Sequence, residues 1–550
     1  MLNDNKKTKT KYIVVTGGVL SGVGKGTATA SIGKLLKEQG FNINLIKIDP
    51  YVNVDAGTMR PTEHGEVFVT YDGGETDQDI GNYERFLNRE FSRLNNITSG
   101  QVFMSVIKKE RNLGYDGECV SMIPHVPEEI KRRIRKSSEM HDADFTIIEV
   151  GGTTGDFENV LFLEAFREMK LEGEELIFIH IVFMAIPGNI GEMKTKPAQH
   201  SVLELNRVGI QPDFVLGRGS TRLDDVRRKK LANFCNLAEK YVVSAPDVES
   251  IYDIPLNLDK ENLTRMVLEK FRYGHKEKTM HKWQLIRKKV DSLRTKGKRI
   301  KIGIVGKYFD TGDFVLEDSY VSVIEAIKHA SYQNDVFPEI IWIDSKSCED
   351  AKSLRKQIEG LNGVIVPGGF GSKGISGKID AIKYCRENGV PFLGLCYGLQ
   401  LAVVEFARNV CGLVGANSRE IDSKTDYPIV DILPEQQELL RRKKYGASMR
   451  LGNYVALLEK NSLAARLYGK ESVVERHRHR YEVNPKYHDS LIKNGLSLSG
   501  MSPDGKLAEF IEIKGHPFFL ATQAHPEFTS RLEIPNPVFV GFVKAAKGNK

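Results

Sequence analysis

The run Gly17-Gly18-Val19-Leu20-Ser21-Gly22-Val23-Gly24-Lys25-Gly26-Thr27 constrains this chain more than any other stretch. The apolar Tyr12-Ile13-Val14-Val15 before it reads as a buried strand. Ala28 to Gln39 after it has helical composition, and Gly40 supplies a stop. Strand, glycine loop and helix form the layout that cradles phosphate: backbone N–H groups converge on one anion, and the helix adds the positive end of its dipole. Lys25 is placed to reach a terminal phosphate, and Thr27 to touch a magnesium ion directly or through water. The standard pattern G-x-x-x-x-G-K-[ST] asks for Gly at 19 and Ser or Thr at 26, where this chain has Val19 and Gly26. A plain tight turn is the alternative; the flanking strand, the helix and Lys25 favour phosphate.

At 550 residues the chain is too long for one core, so two or three domains are expected. The apolar stretch Leu176 to Pro187 is too short to span a bilayer and reads as a core strand. Met1 to Lys11 is polar and lysine-rich with no apolar segment, so a cytoplasmic protein, with no membrane partner, is expected. The net charge of +7 comes without a basic stripe interleaved with aromatics, which argues against nucleic acid and fits scattered contacts to nucleoside triphosphates. Six cysteines show no C-x-x-C pair, so neither a disulfide framework nor a zinc site is expected.

Ile43 to Ile48 completes a strand–helix–strand unit with a parallel sheet, and Lys47 and Asp49 lie at its carboxyl end, where ligands bind in open α/β sheets. Tyr71 to Asp79 holds four acids in nine residues, which is either a solvated loop or a cation site; the phosphate loop favours magnesium. Phe145 to Gly152 is another strand, with Glu149 near its end, a usual place for a metal-holding acid. Lys194, Lys196 and Gln199 sit on a loop before a helix.

The stretches GGVLSGVGKGT, KIDPYVNVDAGTMRPTEHGEVFVTYDGGETDQDIGNYERF, IEVGGTTGDFEN and GEMKTKPAQHSV resemble the synthetase domain of the CTP synthase family. The resemblance runs to the C-terminus. It implies that ATP phosphorylates the 4-oxygen of UTP and that ammonia then displaces phosphate to give CTP. It also implies that Ser21, Gly22, Val23, Gly24, Lys25 and Gly26 hold ATP, with Lys47 and Asp79 beside it. Asp79 and Glu149 would hold Mg2+. Ser21, Lys194, Lys196, Gln199 and Lys230 would bind UTP, and Asp156 and Glu158 would let CTP bind as feedback inhibitor. A homotetramer is implied as well. Two stretches depart from the family: Gly217-Arg218-Gly219-Ser220, which keeps Arg218, and Phe183 to Ile190.

Gly274 to Lys298 is basic, with few apolar residues at helical spacing, and reads as a partly helical surface connector anchored by Trp283. It separates a first domain, 1–273, from a second, 299–550. Strands at Ile302 to Val305, Gly363 to Pro367 and Pro391 to Gly394 alternate with helical segments, so both halves are expected to be doubly wound α/β domains on parallel sheets.

Gly394-Leu395-Cys396-Tyr397-Gly398 is a nucleophile elbow in cysteine form. A buried apolar cysteine is the alternative. The helix that follows favours thiolate. The Pro367 to Gly371 loop and the N–H groups after Cys396 are placed to form an oxyanion hole. His525, in Gln523-Ala524-His525-Pro526-Glu527, is the candidate base, oriented by Glu527. These residues resemble a class I glutamine amidotransferase domain. The resemblance implies that Gly369, Glu420 and Arg480 hold glutamine, that ammonia travels through an internal channel whose mouth matches Pro61 to Val67 with His64, and that GTP activates through a lid, here Gly371 to Gly377 with Lys373 and Ser376 departing from many relatives. Taken alone, Arg476 to Glu482 reads as a metal or nucleic-acid patch. Another ATP-coupled amide synthase and a non-catalytic filament-forming relative are the rival readings.

Overall fold

The computed structural model describes residues 9–20, 22–188, 191–277, 279–306, 317–345, 351–369, 374–432 and 449–549. Ser21 and the lid residues Gly371, Ser372 and Lys373 lie outside them. The chain forms two compact units, one of residues 1–56 and 79–288, the other of 57–78 and 289–550.

The first unit is built on seven parallel strands in the order Asn96–Thr98, Ile43–Asp49, Phe145–Val150, Lys11–Gly18, Leu176–Phe183, Phe214–Gly219, Val242–Pro246. These strands are apolar runs buried on both faces, as a sheet covered by helices requires. The Lys11–Gly18 strand lies between Phe145–Val150 and Leu176–Phe183. Its carboxyl end is the point where successive connections turn to opposite sides, and the glycine loop leaves from there.

The second unit carries a nine-stranded sheet among the described residues. Val336–Asp344, Lys298–Gly306, Gly363–Val366, Phe392–Leu395 and Phe519–Thr522 run parallel. Four more strands extend it antiparallel: Ala508–Ile513, Leu496–Met501, Arg450–Leu458 and, outermost, Ser472–His479. The sheet is therefore mixed. The connections from Met501 to Ala508 and from Ile513 to Phe519 are too short to make the crossover a parallel pair needs.

The basic connector is a 16-residue helix, His281–Lys296, with most of its side chains exposed and one stripe buried. Met280, Trp283, Arg287 and Val290 are buried, a stripe at helical spacing that the lysines around it obscure. The Trp283 indole N–H donates to Tyr252 O at 2.8 Å, and its ring packs 5.7 Å from Phe86. Among the described residues no helix is long and apolar enough to cross a membrane.

Replacing Trp283 by Ala removes a fully buried aromatic anchor. The expected loss is about 3–5 kcal/mol of first-unit stability, read from its transition in chemical denaturation.

Candidate active site

In the first unit, Gly22 and Gly24 adopt φ of 73° and 85°, and Lys25 opens the helix Lys25–Glu38. The buried Lys25 ammonium donates to Gly152 O at 2.7 Å. Burial lowers its pKa, with Glu149 opposing and the Lys47 charge adding to the shift. One of the two departures from the standard loop, Gly26, has a physical reason. A Cβ on Gly26 would lie 1.9 Å from Asp79 Oδ1, so a carboxylate takes the space a loop hydroxyl would need. Val19 adopts φ 79°, a strained conformation for a β-branched residue.

Lys47, at the end of its strand, meets three carboxylates: Asp79, Glu149 at 3.2 Å and Asp49 at 3.7 Å. The Tyr83 hydroxyl donates to the other oxygen of Glu149. Burial, with Asp79 adding, pushes Glu149 up to about 7, and burial pushes Asp49 up to about 6. The carboxylates outnumber the ammonium, and the donors are hard oxygens. Among the described residues no group of three or more such side chains is arranged to hold a metal by itself. Asp79 and Glu149 fit the way Mg2+ binds, through one or two carboxylates with substrate phosphates completing the shell.

Beside the loop lies an apolar pocket walled by Ile181, Leu216, Pro246, Ile254 and Leu258, with Arg218, Asp247 and Asn257 as its polar positions. Arg218 donates to Val23 O at 2.9 Å and pairs with Asp247 at 3.0 Å. Of this lining, sequence reasoning marked Val23, Gly24, Thr27 and Arg218; for the rest, the strand Val242–Pro246 followed by Asp247 was the available signal. Lys194 pairs with Glu192 at 2.8 Å, Lys196 starts the helix Lys196–Arg207, Gln199 is buried, and Lys230 is exposed on Asp225–Phe234. None of the four lines this pocket. Asp156 accepts from the Thr153 N–H at 2.9 Å, next to the exposed Glu158.

In the second unit, Cys396 follows the strand Phe392–Leu395 and caps the helix Tyr397–Asn409 at φ 51°. The elbow needs its glycines: a Cβ on Gly398 would meet Val366 O at 2.1 Å, and one on Gly394 would meet the Ala521 Cβ at 2.8 Å. The His525 Nδ1–H donates to Glu527 at 2.7 Å, since a carboxylate accepts. Its Nε2 has no hydrogen-bond partner among the described residues. A Cβ on Gly368 would sit 2.8 Å from His525 Cε1 and 3.7 Å from Cys396 Cβ, so the glycine keeps the space beside both open. Phe528 stacks on the imidazole with centroids 5.0 Å apart. Burial opposes the imidazolium, but Glu527 and the Cys396 sulfur outweigh it and push His525 up to about 10.

Cys396, His525 and Glu527 share one cavity with Gly368, Gly369 and Arg478, and with Glu66 and Val67 from the 57–78 segment. Glu66 is held by the Ser322 N–H at 3.1 Å and by its hydroxyl. Sequence reasoning missed Arg478 as a wall and Gln523, whose amide lies 3.8 Å from Cys396 Sγ. Glu420 and Arg480 do not line the cavity; both act electrostatically on Tyr481.

This arrangement of thiol, imidazole and carboxylate at a strand end is that of a glutamine amidotransferase, and residues 315–545 match the family model "Glutamine amidotransferase class-I". Residues 11–273 match "CTP synthase N-terminus". The chain is 50% identical to a CTP synthase of Methanococcus maripaludis over 98% of this chain and 99% of that protein. It is 50% identical, with the same coverage, to a CTP synthase of Methanocaldococcus jannaschii. A solved glutaminase domain of Trypanosoma brucei CTPS, with bound acivicin, is 37% identical at a TM-score of 0.42, covering 46% of this chain and 95% of that one. The chain belongs to the CTP synthase family: it is a glutamine-dependent ligase of pyrimidine biosynthesis that makes CTP and uses ATP.

His525 keeps its proton to about pH 10 when folded and to about pH 6.5 when unfolded. A raised pKa contributes stability fully below about pH 6.5 and loses it as pH climbs toward 10. The melting-temperature gap between wild type and Glu527→Gln is therefore widest near pH 6 and narrows toward pH 10. A gap that grows with pH counts against the ion pair.

Proposed function

We propose that the two units divide the reaction. In the first, the loop Ser21 to Gly26 and Lys25 hold the ATP phosphates, and the apolar pocket around Leu216 and Pro246 takes the base. The γ-phosphoryl group passes to O4 of UTP, with Lys47 stabilising its charge, and turns a poor leaving group into a good one. Mg2+, bound by Asp79 and Glu149, would supply charge neutralisation to the phosphates. Ammonia then attacks C4 and expels phosphate. Lys194, Lys196, Gln199 and Lys230 bind the UTP phosphates.

In the second unit, the Cys396 sulfur attacks the glutamine amide, with Gly369, Glu420 and Arg480 holding the substrate. A tetrahedral oxyanion collapses to a thioester, and His525 gives its proton to the departing ammonia. Water attacks the thioester and releases glutamate. Glu66 and Val67 form the wall through which ammonia leaves, which suits a product that bulk water would protonate. The boundaries 1–273, 274–298 and 299–550 describe the division of labour, although 57–78 packs within the second compact unit.

The observation that carries this reading is the buried Cys396–His525–Glu527 array at a strained elbow. CTP inhibition through Asp156 and Glu158, and GTP activation through a lid whose Gly371 to Lys373 lie outside the described residues, belong to the same proposal. The homotetramer belongs to the same proposal.

The test measures CTP formation from UTP, ATP and magnesium with glutamine or ammonium. Cys396→Ala loses glutamine-dependent activity by roughly a thousandfold or more and keeps ammonium-dependent activity. Asp79→Asn loses CTP formation with either donor. Wild type that makes no CTP from ammonium overturns the synthetase half.

A further inference from the structure

The block Arg476 to Glu482 is neither a metal patch nor a nucleic-acid patch: most of it is the outer strand Ser472–His479 of the mixed sheet. Its side chains alternate. Arg476 donates to Val69 O at 3.0 Å, and Arg478 donates to Glu75 at 2.8 Å. On the other face His477 and His479, 1% and 2% exposed, meet Arg450, Glu482, Glu509 and the Tyr454 ring.

The directions of the bonds follow from chemistry. A carbonyl only accepts, so His479 Nδ1, 3.2 Å from Tyr481 O, carries a hydrogen. A neutral His479 then has a bare Nε2, and His477 Nδ1, 2.8 Å away, donates into it. A neutral His477 is left with a bare Nε2 that faces Glu509 Oε2 at 3.6 Å, an oxygen with no hydrogen-bond partner among the described residues. At 3.6 Å the two atoms are beyond hydrogen-bond reach, so the relay starts at His477 Nδ1. Arg450 brings one positive charge to two carboxylates, Glu482 at 3.0 Å and Glu509 at 2.8 Å, so one added proton makes the cluster neutral.

We infer that His477 and His479 form a one-directional hydrogen-bond relay, from His477 Nδ1 through His479 to the Tyr481 carbonyl, that fixes the outer strand as the wall of the glutaminase site. This rests on the reading of Cys396 and His525 given above. The strand touches both residues with its backbone: Arg476 O accepts the His525 amide at 2.7 Å, and Arg478 O lies 3.8 Å from Cys396 Sγ. An outer strand has one pairing partner, so the buried side chains on its far face help to hold those carbonyls in place. Burial pushes Glu482 up to about 8 and raises Glu509, and it holds both imidazoles well below their ordinary range, with the Arg450 and His525 charges adding. The lowered imidazoles agree with neutral rings, and the raised carboxyls with a proton kept within the Glu482–Glu509 pair. His477 and His479 are positioning residues.

Two measurements test the relay. In wild-type enzyme labelled with ¹⁵N-histidine, and assigned with single variants, both rings carry hydrogen at Nδ1 from about pH 6 to 8; either ring bare at Nδ1 overturns the relay. His477→Phe fills the space without the bonds, whereas His477→Gln restores a donor and an acceptor. The Phe variant loses glutamine-dependent CTP formation by roughly 10–100-fold with ammonium-dependent formation unchanged, and the Gln variant recovers most of it. Equal loss in the two variants, or loss with ammonium as well, overturns the inference. Cys396→Ala run in parallel separates the cases: if it still uses glutamine, the reading of the site itself has failed.

Discussion

Each half of this chain depends on the same constraint: a helix N-terminus drawn up against the carboxyl end of a buried parallel strand. Such closeness leaves no room for side chains where backbone meets backbone, so glycine is obligatory at a few positions. Gly398 packs against Val366 O, and Gly26 leaves its space to Asp79. What the helix start then offers is set by the residue beside it. Lys25 offers an ammonium to anions, and Cys396 offers a sulfur to a carbonyl carbon. In the proposed reading, one architectural device serves phosphate binding in one unit and acyl chemistry in the other.

Electrostatics divides along the same line. Around Lys47 the carboxylates outnumber the buried ammonium, and Glu149 and Asp49 are pushed toward neutrality, as suits a place awaiting phosphate and a cation. Around His525 the balance is the reverse: one carboxylate stabilises an imidazolium beside a sulfur. Both arrangements are dry, so small displacements change their energy strongly. That is why the supporting shell, Tyr83 on Glu149 and the outer strand behind His525, matters as much as the reacting groups.

Much of this was legible in the sequence. The glycine loop, the elbow and the His-Pro-Glu turn are local signals, because the chemistry needs small residues at fixed offsets. What was not legible came from distance. The reason for Gly26 is Asp79, fifty-three positions away, and no local pattern announces it. The antiparallel extension of the second sheet was hidden because its strands, such as Ser472–His479, are rich in charge: their Arg and His side chains are buried in pairs, and a composition reading places such residues at the surface. The connector is the exposed helix anchored by Trp283 that the sequence indicated; what its lysines hid is that Met280 and Val290 join Trp283 in a buried stripe.

The segment 57–78 has a consequence for the way the chain can be divided. It leaves the first unit after Ala56 and returns at Asp79, yet it packs in the second, where Phe68 lies 4.9 Å from Phe528 and Glu75 holds Arg478. No single cut therefore separates the two compact units. A fragment beginning at 299 would keep its thiol, imidazole and carboxylate but would present its cavity with Glu66 and Val67 gone, an open bowl where the whole chain has a walled chamber. Recombination between relatives would face the same limit: a crossover in the connector carries this loop along with the wrong partner, so the pieces that must stay together are interleaved along the sequence.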